Sequence, residues 1–249
     1  MAPRGAANAG SAPVPRRSVL VGALGLESNQ VAVSVAMFLL ALGVFLLLAM
    51  SADGIGAAPD APRLAITAPE RITMKDDLGM ANPKWRFIAG RWVRRASGSS
   101  QVLAQIADTQ PWAVALLEDQ KFADVDVTVR FRPISGKEDA SGGIIVRAKD
   151  GRNYLVVRAN ALEDNFRLYT MVDGRRRLVA SAKVAEPKLG QWHRIRVVAK
   201  GPKVQAYLDE SLLLDHEEKT FTAGWVGLWT KADSVTEFAD LEIVGAPMK

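Results

Sequence analysis

The sequence predicts an all-β sandwich or jelly roll preceded by one N-terminal transmembrane helix. Three observations carry this. One uncharged apolar stretch is long enough to cross a bilayer. From about Pro83 onward, short β-branched and aromatic runs alternate with turn pairs rich in Gly and Asp. That region shows almost no helical periodicity.

The membrane element comes first in the chain. Val31 to Met50 read VAVSVAMFLLALGVFLLLAM, uncharged and with Ser34 as the one polar side chain. About 20 apolar residues at ~1.5 Å rise cross a hydrocarbon core of roughly 30 Å. A buried helix of a soluble domain would show polar interruptions on one face. Arg4, Arg16 and Arg17 precede the span, Asp53 and Asp60 follow it, and the first basic residue beyond is Arg63. The positive-inside rule then gives a cytoplasmic tail (1–30), a membrane helix (31–50) and everything after it outside, in the periplasm of a bacterial cell. Three alternatives stay open. Ala49, Ser51, Ala57 and Ala58 suit a cleaved signal peptide, although the apolar run exceeds the usual ~7–15 residues. Arg16-Arg17 resembles a twin-arginine signal, interrupted by Glu27–Gln30. A start at Met50 would give a soluble cytoplasmic protein.

Residues 51–82, rich in Ala, Pro, Asp and Gly, read as a flexible spacer, and residues 83–249 as the sandwich domain. Its strand-like runs, in order, are Trp85–Ile88, Trp92–Arg94, Trp112–Leu117, Val125–Arg132, Ile144–Ala148, Asn153–Asn160, Phe166–Val172, Trp192–Ala199, Val204–Leu208, Trp225–Lys231 and Val235–Val244. Turn pairs at Ser135-Gly136, Asp150-Gly151, Asp173-Gly174, Gly201-Pro202 and Asp209-Glu210 punctuate them. Even spacing of this kind suits a sandwich, and no internal repeat suggests a propeller or solenoid.

Composition narrows the function classes. The net charge of +5 comes from 32 basic and 27 acidic residues spread along the chain, so nucleic acid is not an expected partner. The densest cluster, Arg175-Arg176-Arg177, follows a turn and reads as a solvated hairpin tip. The absence of cysteine excludes disulfides and thiolate metal sites.

The stretch GGIIVRAKDGRNYLVVRANALEDNFRLY (142–169) poses the functional question, because strands that read as buried carry three arginines. Taking Asp150-Gly151 as the central pair of a hairpin sets Lys149 opposite Arg152, Arg147 opposite Tyr154, Ile145 opposite Val156 and Gly143 opposite Arg158. Opposed residues share a face. Ile144, Val146, Ala148, Leu155, Val157 and Ala159 then form the core face. A four-residue loop Leu162–Asn165 would pair Asn160 with Arg167 and Arg158 with Tyr169, adding Phe166 and Leu168 to the core. The other face carries Arg147, Tyr154, Arg158, Asn160, Arg167 and Tyr169. Two readings fit it: an ordinary solvated surface, or a binding face. In the second, tyrosine rings would stack on sugars, Arg and Asn would donate to hydroxyls or carboxylates, and Gly143 would leave open space.

These segments, together with GQWHRIRVVAKGPKVQAYLDE, AGWVGLWTKADSVTEFADLEI and the opening PKWRFIAGRWVRR, resemble a laminin-G-like, concanavalin A-like jelly roll. More narrowly, they resemble the bacterial 3-keto-disaccharide hydrolase (family-16-glycoside-hydrolase-like) domain family over residues 83–245. The resemblance implies a two-sheet antiparallel jelly-roll sandwich with sugar-like ligands on a concave face. It makes Arg147, Arg158, Asn160, Arg167 and Tyr169 the central positions, joined by Trp229 and Lys231. Such a fold hosts lectins, enzymes and adhesion modules alike.

A catalytic set is not legible. Glycosidases use two carboxylates about 5–10 Å apart, and no Glu-x-Asp-x-x-Glu signature is present. Asp124, Asp126, Glu163, Asp164 and Asp233 flank strands without a forced role. His193 shares strand parity with Ile195 and Val197 and reads as structural; His216 reads as a solvated strand end. No metal ligand set and no cofactor is expected, and calcium would need rim Asp or carbonyl oxygens without a recognisable Asp-rich loop. The leading expectation is a membrane-anchored, extracytoplasmic domain that binds a carbohydrate or glycan-like ligand. A 3-keto-disaccharide or glycoside hydrolase or lyase and a protein-interaction module are the alternatives.

Overall fold

The computed structural model describes residues 70–248, so the expected cytoplasmic tail, membrane helix and most of the spacer lie outside the described residues. Within them the chain is all strand, without a helix. The fourteen strands are β1 (Ile72–Asp76), β2 (Trp85–Ala89), β3 (Trp92–Ser97), β4 (Ser100–Gln105), β5 (Thr109–Ser135), β6 (Ser141–Asp150), β7 (Asn153–Asn160), β8 (Asn165–Val172), β9 (Arg175–Lys183), β10 (His193–Lys200), β11 (Lys203–Leu208), β12 (Ser211–Glu217), β13 (Gly224–Ala232) and β14 (Val235–Pro247).

Every pairing is antiparallel, and one hydrogen-bonded ladder supplies both layers. The 27-residue β5 makes the join. Its first part pairs with β2 and β13, and its second with β10 and β14. The first layer is therefore β2-β5-β13-β6-β7-β8-β9, and the second is β12-β11-β10-β5-β14, continued by β1, β4 and β3. The runs Trp112–Leu117 and Val125–Arg132 are thus one strand that switches sheets, a usual way to turn a sandwich corner. The polar stretch between them, Glu118–Lys121, interrupts the ladder, since pairing stops at Leu117 and resumes at Phe122, but it does not end the strand. The sandwich also begins before Pro83, because Ile72–Asp76 pairs with β14, from Ile72↔Gly245 to Asp76↔Leu241, and Leu78 is buried.

Alternate residues of the two layers meet in one core. Ile144, Val146, Leu155, Val157, Phe166 and Leu168 of the first layer face Val127, Val129, Phe131, Ile195 and Phe238 of the second. Gly142 lets β6 approach the second layer, since a Cβ there would lie 2.6 Å from the Phe131 ring. Three expected turns form as two-residue hairpins, closed by Val172↔Arg175, Lys200↔Lys203 and Leu208↔Ser211. Asp173 and Gly174 both adopt positive φ (50° and 76°), as a hairpin whose twist matches its strands requires.

The β6–β7 hairpin departs from expectation in an informative way. Asp150 pairs with Asn153, so Gly151-Arg152 is the central pair. Asp150 instead opens the turn, its Oδ1 accepting the Arg152 N–H at 2.7 Å. A bulge between Val146 and Asp150, with Arg147 at φ 55°, absorbs the two-residue offset. Beyond it, Ile145↔Val156 and Gly143↔Arg158 pair as expected. The β7–β8 hairpin is shifted by two residues, so Arg158 opposes Arg167 and Val156 opposes Tyr169. A shift of two keeps every side chain on its expected face.

Candidate functional site

The first layer has a second apolar face, turned away from the inter-layer core. Val114, Leu116, Ile145, Ala148, Tyr154, Val156, Tyr169, Met171 and Trp229 cluster there, with Trp112 and Trp225 packed at its margin. Period-two alternation explains most of the set: Trp229 projects opposite Val226 and Leu228, which belong to the core, whereas Ala148, expected on the core face, is carried to this one by the bulge after Val146. Trp112 stacks on Trp229 with ring centroids 6.3 Å apart, and Lys121 lies 4.2 Å over the Trp225 ring.

Arginine chemistry is built into this face. Arg158, with 2% of its side chain exposed, donates from Nη2 to Glu163 Oε2 at 2.8 Å. Asn165 Nδ2 donates to the same oxygen at 2.8 Å, and Arg167 Nη1 lies 3.5 Å away. Arg167 also donates to the Tyr169 hydroxyl at 3.3 Å. Partial burial pushes the Glu163 carboxyl up, but the bonds from Arg158 and Asn165 and the nearby positive charge outweigh it and hold the group down at about 2. Glu163 is therefore a fixed carboxylate at neutral pH. Burial pushes the Tyr154 phenol well above its ordinary value, against a smaller downward pull from the Trp229 indole and the Arg176 charge.

Arg158 Nε and Nη1 lack a hydrogen-bond partner among the described residues, and Tyr154 Oη and Trp229 Nε1 lie close to one another without a well-formed hydrogen bond. Buried polar atoms are nearly always paired, so a group of exceptions on one face asks for an explanation. The floor is buried, whereas Trp112, Trp225, Glu163 and Arg167 at the margin are partly exposed.

The expected site residues fall into two groups. Tyr154, Arg158, Tyr169 and Trp229 line the face, with Arg167 at its margin. Arg147 does not. Its bulge turns it across to the second layer, where Nη1 donates to the Phe221 carbonyl at 3.1 Å and Nη2 to the Gly201 carbonyl at 2.6 Å. Asn160 fastens backbone, its Oδ1 accepting the N–H groups of Ala140 and Leu162. Lys231 has the expected parity, but its ammonium is held 2.8 Å from the fully buried Asp139. Gly143 leaves no open space: a Cβ there would lie 2.7 Å from the Val157 carbonyl and 3.2 Å from Arg158 Cβ.

Glu163, Trp112, Trp225 and Arg176 also lie at this face; the sequence left Glu163 without a forced role and put Arg176 at a solvated hairpin tip, and it did not single out the two tryptophans. Trp225 shares strand parity with Trp229, and the Asp173-Gly174 turn sets Arg176 opposite Met171, so both were within reach of the same register argument. His193 lies in the second layer, with Nδ1 2.7 Å from Asp209 Oδ2 and its ring against Phe131. Among the described residues, no three His, Asp or Glu side chains group as a metal ligand set.

The 3-keto-alpha-glucoside-1,2-lyase-like domain family matches residues 79–244. The chain belongs to that family. Members of the same fold include the carbohydrate-binding module CBM66 from Bacillus subtilis, at 19% identity and a TM-score of 0.56, covering 64% of this chain and 94% of that one. A galectin-like protein of unknown function from Bacillus subtilis aligns at 13% identity and a TM-score of 0.54, covering 71% and 96%. The Crh5 transglycosylase aligns at 13% identity and a TM-score of 0.50, covering 70% and 84%. No curated protein matches the chain by sequence. The chain is thus a 3-keto-glucoside-lyase-like jelly roll, and the face bearing Arg158 and Trp229 is the outer face of its first layer.

Proposed function

We propose that this 3-keto-glucoside-lyase-like domain binds a carbohydrate on the outer face of its first layer, held outside the cytoplasm by a membrane helix over residues 31–50. One observation carries the ligand: Arg158 donors without a partner share a face with five aromatic rings, those of Trp112, Tyr154, Tyr169, Trp225 and Trp229. Rings present apolar platforms to sugar C–H faces, and fixed donors answer hydroxyls. Trp112, Trp225, Glu163 and Arg167 are the groups that a sugar meets first. The family assignment and the carbohydrate-binding module of the same fold support this reading.

The test uses the full chain on an oligosaccharide array. Trp112→Ala and Arg167→Ala change half-exposed side chains, so each should lower binding at least ~10-fold while the melting temperature moves by only a few degrees. Unchanged binding in both variants would refute the site. The topology has its own check: a reporter fused after residue 249 should be active only outside the cytoplasm.

Glu163 favours a second reading, elimination or hydrolysis of a keto-sugar, because it places an ionised carboxylate at the face. A group held at about 2 is, however, a poor base at neutral pH, where efficient proton transfer wants a pKa near the working value. Turnover of a 3-keto-disaccharide by the chain, abolished in Glu163→Gln, would establish this reading over simple binding.

A further inference from the structure

Beside the β8–β9 hairpin lies a depression of about 570 Å³ lined by Arg152, Arg175, Arg176, Arg177, Thr170 and Thr220. Asp173 is the one acid in its wall. Arg152 spends one donor on the Asp173 backbone carbonyl, at 2.6 Å. Arg177 reaches Glu218 only at 3.9 Å. Among the described residues, Arg152, Arg175 and Arg176 have no carboxylate within 4.0 Å. Clustered guanidinium groups repel one another, and the chemistry that suits them is an anion able to accept paired N–H bonds, a carboxylate or a phosphate.

Arg176 joins this depression to the aromatic face. Arg176 lines it and also extends over that face, its guanidinium carbon 4.6 Å from the Tyr169 ring centre and 5.8 Å from that of Trp112. A ligand that stacks on the tryptophans therefore has arginine donors at the adjoining edge. In the same wall the Thr220 hydroxyl donates to Glu218, and the Thr170 hydroxyl accepts from Arg177 Nε at 3.5 Å.

We propose that the ligand is an acidic glycan, whose carboxylate- or phosphate-bearing residue sits in the arginine depression while a neighbouring sugar lies on the aromatic face. The inference rests on the carbohydrate reading above and narrows its substrate class.

The experiment measures the full chain on an array carrying uronate-bearing, phosphorylated and neutral oligosaccharides, at low and high NaCl, alongside vesicles of anionic lipid. The wild-type chain should bind acidic members at least ~10-fold more tightly than neutral ones, and added salt should erode that advantage. Uronates and phosphorylated glycans are separate arms, so their ranking identifies the anion. In the double variant Arg175→Gln, Arg177→Gln, the advantage should vanish with neutral binding intact. Equal binding of acidic and neutral members, or an acidic preference that survives the double variant, would overturn the inference and leave the carbohydrate reading standing. Binding to no glycan at all would overturn both. Binding to anionic vesicles with no acidic preference among glycans would also overturn it, in favour of a lipid headgroup.

Discussion

Two depressions on this domain are rich in arginine, and they differ in how that charge is balanced. On the outer face of the second layer, Arg196 lies 2.6 Å from Asp126, Arg194 2.6 Å from Glu210 and Arg130 2.7 Å from Asp240. All six line one hollow. Beside the β8–β9 hairpin, four arginines meet one aspartate. The first hollow is a surface that neutralises itself through cross-strand ion pairs. The second is balanced far less, because of its four arginines only Arg177 has a carboxylate within 4.0 Å, that of Glu218 at 3.9 Å. Residue type alone does not separate the two hollows; the balance of local counter-charge does.

A third arginine environment, the floor of the aromatic face, gives the largest expected effect. Arg158 is buried and holds the Glu163 carboxylate, so Arg158→Ala removes a partner from a fixed charge and leaves a gap among aromatic rings. It should cost about 2–4 kcal/mol in denaturant unfolding, against at most ~1 kcal/mol for Arg196→Ala in the self-neutralised hollow. Similar costs for the two variants would erase the distinction between floor and surface.

Glu163→Gln comes next. The folded group sits at about 2, below its ordinary value near 4.5. A depressed carboxylate contributes stability that is present above its unfolded pKa and lost as the pH falls through the folded one. With a third of the side chain exposed, solvent screening reduces the contribution to about 1–2 kcal/mol at pH 7. The gap between wild type and variant should therefore close between about pH 4.5 and pH 2. Glu218, Asp233 and Glu237 are lowered as well, so both proteins weaken in acid, and the difference between them is the quantity to read.

The smallest effect belongs to the paired hollow. Arg194→Gln with Arg196→Gln should leave oligosaccharide binding unchanged within about twofold, because these guanidinium groups already have carboxylates. A loss as large as that of the Arg175, Arg177 variant would show that net charge, not local imbalance, drives binding.

Much of this was legible in the sequence for one reason: side chains alternate with period two, and a core face tolerates no slip. Leu155, Val157 and Phe166 pinned their faces so firmly that a misplaced turn at Asp150 and a two-residue shift at Asn160 left the parity of β7 and β8 intact; on β6 only Arg147 and Ala148, inside the bulge, changed face. What escaped was local or reached from a loop. Arg147 leaves its face because it takes the positive φ of a bulge, which its residue type does not announce. Glu163 projects from the β7–β8 loop, and nothing in alternation says where a loop carboxylate swings. β1 hides in spacer-like composition, and β9 behind the polar run RRRLVASAK. The burial of the aromatic face was half visible, since Ile145 and Val156 already sat among its arginines.

The central claim, that ligand follows the unbalanced arginines and the rings beside them, is tested most directly by a crystal structure of the chain with the tightest-binding array oligosaccharide. The account predicts a sugar ring stacked on Trp112 or Trp225 within hydrogen-bond reach of Arg167 or Glu163, with its anionic group among Arg175, Arg176 and Arg177. An oligosaccharide seated instead in the hollow of Arg130, Arg194 and Arg196 would contradict it.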